Sequence, residues 1–145
     1  MSASGASPKG TIVLIHGLFL TRSSWDGWVD RFSARGFRVL APGWPGLDGT
    51  VAELRADPKP LTELSITKVL DHYDALIRTL DTRPIVMGHS FGGLFAQLLA
   101  YRGLASAAVG IDSTAPAGVQ TLPFSTLKPR RPSSLTPLTW GARRC

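Results

Sequence analysis

The chain has 145 residues, 43% of them hydrophobic, which is enough for one domain with a real core; no apolar run is long enough to span a bilayer. Its net charge of +6 first suggests an acidic partner, but Lys128, Arg130, Arg131, Arg143 and Arg144 lie in residues 128–145 without a single acid, and residues 1–127 carry 11 basic against 10 acidic residues. The core is therefore near neutral, and the basic tail, with one aromatic (Trp140) and no reader motif, gives no reason to expect nucleic acid as a partner.

Residues 1–9 are mostly small and polar and lack the regions of a signal peptide, so they read as a flexible leader on a cytoplasmic protein. The single cysteine, Cys145, allows no intrachain disulfide, which agrees with a reducing compartment. Thr11–Ile15 is a continuous β-branched and apolar run, as a strand covered on both faces requires. Ser24 is the expected N-cap of a helix carrying Trp25, Trp28, Val29 and Phe32 at helical spacing, with Gly36 closing it. These aromatics are expected in the core rather than in a pocket. Residues 37–41 form a second strand, and residues 42–61, broken by Pro42, Pro45, Pro58 and Pro60, read as loop.

A helix beginning near Ser65 is the clearest by pattern: Ile66, Val69, Leu70, Tyr73, Leu76, Ile77 and Leu80 recur at intervals of three and four, apart from adjacent pairs. A strand over 85–87, a helix from Phe91 to about Arg102 stopped by Gly103, and a strand over 107–111 complete a β-α-β-α-β-α-β order. Such alternation predicts a parallel sheet with right-handed crossovers. Domain organisation follows: leader 1–9, an α/β domain over 10–127, and a Pro-, Ser- and Arg-rich tail over 128–145 that gives no reason to expect a packed element.

The chemistry centres on Gly88-His89-Ser90-Phe91-Gly92. A strand before and a helix after is the context of the G-x-S-x-G nucleophile elbow, where the serine sits on a strained turn with its hydroxyl exposed. Ser90 is the candidate nucleophile. An oxyanion hole needs two backbone N–H groups aimed at one point. Phe91, opening the elbow helix, supplies one candidate. Leu18, after His16-Gly17 at the end of the first strand, supplies the other. No metal signature, phosphate loop or dinucleotide fingerprint occurs, so no cofactor is expected.

These residues resemble the α/β-hydrolase fold family over about residues 10–125. The resemblance rests on Ile15-His16-Gly17, on Ala41-Pro42-Gly43-Trp44-Pro45-Gly46, and on Met87-Gly88-His89-Ser90-Phe91-Gly92-Gly93. It implies a three-layer α/β sandwich, about four mostly parallel strands in the local order 2-1-3-4, as a truncated N-terminal portion of the family core. It also implies hydrolysis of a small-molecule ester or similar acyl compound. The family mechanism takes a serine, an acid and a histidine in that chain order. Here His16, His72 and His89 all precede Ser90, so the family's general base is missing, and Asp112 is the candidate acid. The resemblance thus admits an alternative, a catalytically inactive fragment or binding module on the same scaffold. The abrupt change of composition near Lys128 is what reading a GC-rich gene out of frame produces. An unpaired edge at the fourth strand would favour self-association.

Overall fold

The computed structural model describes residues 7–117. The first six residues, the end of the expected 10–127 domain and the 128–145 tail with Cys145 lie outside the described residues.

Four strands, β1 (Thr11–Ile15), β2 (Arg38–Leu40), β3 (Ile85–His89) and β4 (Ala107–Ile111), form one sheet in the order β2-β1-β3-β4. Every pair is parallel, with Val13 opposite both Leu40 and Val86, and Gly88 opposite Gly110. β1 is central because both of its faces are apolar. Val13 and Ile15 join one core with Val69, Leu70, Tyr73, Ile77, Phe95 and Leu99. Ile12 and Leu14 join a second with Trp25, against which Val29, Phe32 and Phe37 pack. Helices therefore cover both sheet faces and give the expected three layers. Tyr73 and Phe95 are the largest fully buried side chains, each worth roughly 1.5–3 kcal/mol of burial.

The first crossover departs from expectation at its start. Ser24 does not cap α1 (Asp26–Ser33). It lies inside a 3-10 turn, Arg22–Trp25, and its hydroxyl donates to the Thr21 carbonyl at 2.8 Å. That turn buries Trp25 against β1, while Trp28 stays 40% exposed. Gly36 ends the crossover as expected, with φ at 86°.

The stretch read as loop contains two short helices, α2 (Val51–Ala56) and α3 (Lys59–Thr62). Thr50 and Glu53 form a capping box: the Thr50 hydroxyl accepts from the Glu53 N–H, and the Glu53 carboxylate accepts from the Thr50 N–H. α4 (Ile66–Arg78) starts where the pattern places it, with the Ser65 hydroxyl accepting from the Lys68 N–H at 3.1 Å. α5 (Phe91–Tyr101) follows the elbow, and Gly103 ends its turn with φ at 73°.

Tyr73 ties α4 to the loop after β2. Its buried hydroxyl donates to the Pro42 carbonyl at 3.0 Å and lies 3.4 Å from that of Gly43, and burial pushes its pKa up. Tyr73→Phe keeps the ring and strands these carbonyls. The expected loss is about 1–2 kcal/mol, read as a lower urea midpoint at unchanged m-value.

No helix among the described residues is long and apolar enough to cross a membrane. β4 is an edge strand, and residues 107–110 are all exposed.

Candidate active site

The end of β3 turns into α5 within one residue. Ser90 is that residue, with φ 55° and ψ −118°, a conformation that costs an L-residue about 1–3 kcal/mol. The backbone around it holds the strain. The Ser90 N–H donates to the Ile111 carbonyl at 3.0 Å, and the Ser90 carbonyl accepts from Gly93, Leu94 and Thr114 at 3.0, 3.3 and 3.1 Å. Its side chain makes no capping bond to the helix, so the hydroxyl is left for other chemistry.

The two flanking glycines are required by close approach. A methyl on Gly88 would strike the Gly92 carbonyl, and one on Gly92 would strike the Ile15 carbonyl and lie 2.8 Å from that of His16. The first turn of α5 is thereby pressed directly onto the end of β1. That contact brings the next loop to the elbow. A methyl on Gly17 would lie 3.1 Å from His89 Nδ1 and 3.2 Å from both the His89 carbonyl and Ser90 Cβ.

Leu18 follows Gly17, and Phe91 is the first residue of α5. Among the hydrogen bonds of the described residues, neither the Leu18 nor the Phe91 N–H has a partner. The Phe91 N–H lies at the positive end of the α5 dipole, and Leu18 directly follows the glycine that approaches Ser90. The loop carrying Leu18 is braced from behind. The Trp44 indole N–H donates to the His16 carbonyl at 3.2 Å, the Trp44 ring stacks on His16 at 5.3 Å, and its edge meets Phe95 at 5.5 Å. A chain of contacts therefore runs from Tyr73 through the 42–44 loop and Trp44 to His16 and Gly17. Sequence reasoning placed His16 and the loop motif but missed Trp44 as the brace, because 28 residues separate it from its partner.

His16 is 1% exposed, and its Nδ1 lies 2.9 Å from the Gly17 carbonyl. That contact makes Nδ1 the protonated nitrogen, and Nε2 is buried without a hydrogen-bond partner among the described residues. Desolvation pushes its pKa below the ordinary value, against the opposing pull of the Gly17 carbonyl and Asp48. The unfolded state therefore binds the proton more readily. His16's contribution is full above about pH 6.5 and shrinks as pH falls from there toward the folded-state pKa, by up to about 1.4 kcal/mol per pH unit. The urea midpoint should fall more steeply on acidification in the wild type than in His16→Gln.

The other titratable candidates are His72 and Asp112. His72 is half-buried on α4 with its ring edge-on to Tyr73 at 5.2 Å. Asp112 follows β4 in the left-handed region, φ 44°, directly after the residue whose carbonyl holds the Ser90 N–H. It shares the elbow's end of the sheet, and its side chain is exposed with no hydrogen bond among the described residues. Ser113, unmarked in the sequence reading, packs against Gly93, and its hydroxyl accepts from Gln97 at 2.6 Å, pinning the loop after β4 to α5. Trp25 and Trp28 border neither of the two cavities near the elbow. No group of three metal-ligating side chains occurs among the described residues.

A model of the Alpha/beta hydrolase family matches residues 12–144. The chain belongs to this family. No curated protein matches it. Solved structures similar to it include hydrolases and esterases. An extracellular alpha/beta-hydrolase from a Paenibacillus species is 25% identical with a TM-score of 0.58, over 73% of this chain and 41% of that one. Polyneuridine aldehyde esterase is 23% identical with a TM-score of 0.59, over 74% and 41% of the two chains. A monoacylglycerol lipase from Paleococcus ferrophilus is 23% identical with a TM-score of 0.59, over 84% and 46%. The last two likenesses show the fold alone. This chain spans less than half the length of each of these hydrolases.

Proposed function

We propose that the chain carries the nucleophile half of a serine hydrolase site acting on an ester or similar small acyl compound. Ser90 attacks the carbonyl carbon as its proton passes to a base, and the ester C–O bond then breaks to release the alcohol with a proton returned to it. The Leu18 and Phe91 N–H groups hold the oxygen as it gains charge. Asp112 is the candidate acid. Water then releases the acyl group from Ser90.

The observation that supports this reading is the close approach of Gly17, the residue before Leu18, to a strained serine whose hydroxyl has no helix-capping bond. Esterase and lipase names among the similar structures support the acyl class.

The proton acceptor is not among this chain's residues after Ser90, since its three histidines all come earlier. That observation favours a second reading, a catalytically silent fragment or a binding module on the same scaffold. A fluorophosphonate probe separates the two. Labelling of the wild type that is lost in Ser90→Ala supports the hydrolase reading. A folded wild type that never labels supports the silent one.

A further inference from the structure

Two cavities adjoin at Phe19. One, of about 320 Å³, opens beside Leu18 and Phe91 and is walled by Leu64, Val69 and Phe95. Its one hydroxyl-bearing lining residue, Ser65, already accepts from the Lys68 N–H as the cap of α4. The other, of about 460 Å³, is apolar toward Leu47 and Leu54 and polar toward Thr21, Arg55 and Asp57. Phe19, Trp44 and Leu61 border both. Trp44 is fixed by its bond to His16 and is 4% exposed, and Leu61 packs on the main core. Phe19 differs: it is 81% exposed, belongs to neither core cluster, and is held in the left-handed region at φ 63°.

We infer that the smaller cavity is an acyl-chain subsite for a short, uncharged apolar group, and that Phe19 limits its length by standing between it and the larger cavity. The inference rests on the proposed oxyanion hole. A carbonyl oxygen held by the Leu18 and Phe91 N–H groups directs its substituent along the walls those same residues border. Beyond those two N–H groups, which the carbonyl oxygen takes, the described lining offers a charged group no free polar side chain to replace its lost water. The volume is at the small end of ligand pockets, so a short chain or one ring fills it. Removing the Phe19 ring joins the two spaces, and longer chains then fit.

The test is a series of straight-chain primary amides of increasing length, titrated into the full chain and followed by NMR at the Trp44 indole N–H. These amides are neutral, present a carbonyl to the two N–H groups and need no turnover. In the wild type, affinity should rise about fourfold per methylene and then stop at a definite length. In Phe19→Ala the stop should move to longer chains. Phe19 is exposed, so this variant should melt with the wild type, which separates the effect from misfolding. The same stop in both proteins overturns the inference, as does a series with no stop in the wild type or no shift of Trp44. Fluorophosphonate labelling of Ser90 is read in parallel. Labelling without a stop overturns the subsite and leaves the hydrolase reading. A stop without labelling supports the apolar site and overturns the reaction.

Discussion

Ser90→Ala is expected to abolish covalent labelling by a fluorophosphonate, while the wild type labels slowly and more quickly in added imidazole. A serine hydroxyl is a weak nucleophile until a base takes its proton. No histidine follows Ser90, His72 packs on Tyr73, and His16 is buried behind Gly17 with its Nδ1 on a backbone carbonyl. His89, next to Ser90 in sequence, has its Nδ1 buried without a hydrogen bond among the described residues. An oxyanion hole and binding alone leave triad enzymes about 10³–10⁴-fold above water when the base is gone, so slow reaction at Ser90 is the expected outcome rather than none. Imidazole in solution can take the proton and should raise the labelling rate by about ten- to a hundredfold, at or below the low end of what a positioned base gives. Labelling that survives Ser90→Ala places the nucleophile elsewhere and overturns the reading.

The parts of this arrangement legible in the sequence are those where local chemistry and long-range need coincide. A β-branched run such as Thr11–Ile15 can hardly be anything but a covered strand, and the three-and-four spacing marks the helix, with Val69, Leu70, Tyr73 and Ile77 as its buried face while Ile66 stays exposed. The elbow was legible because Gly88 and Gly92 answer to backbone contacts made within five residues or at the neighbouring strand end. α2 was signalled by Thr50 and Glu53, the two ends of a capping box, but six residues between prolines carry no helical period to confirm it. Ser24 misled for a related reason. It has the chemistry of a cap, yet the Thr21 carbonyl lies within its reach and a 3-10 turn takes its hydroxyl. The brace from Trp44 to His16 and the two cavities at Phe19 are assembled from segments far apart in the chain. No pattern within any one segment encodes them.

Gly92→Ala should cost the fold itself. The added methyl would occupy the position of the Ile15 carbonyl, a backbone atom at the end of the central strand that cannot rotate aside. Relief requires lifting the start of α5 off β1. That movement breaks the bonds from Ser90 to Ile111 and Thr114 and opens the apposition of Gly17 to the elbow. α5 also supplies Phe95, Ala96 and Leu99 to the main core, so the displacement spreads into packing. A loss above about 4 kcal/mol is expected, comparable to the whole stability of a marginal domain. Thermal melts followed by circular dichroism should show a cooperative transition in the wild type and none, or one far lower, in Gly92→Ala. Gly27→Ala provides the opposite case on the same chain. It lies inside α1 with open space where its methyl would go, so alanine there should stabilise by roughly 0.5–1 kcal/mol through helix propensity. If Gly92→Ala melted with the wild type, the close contact between the elbow helix and β1 would be wrong. The approach of Gly17 to Ser90, and the oxyanion hole proposed on it, would then have no support from that contact.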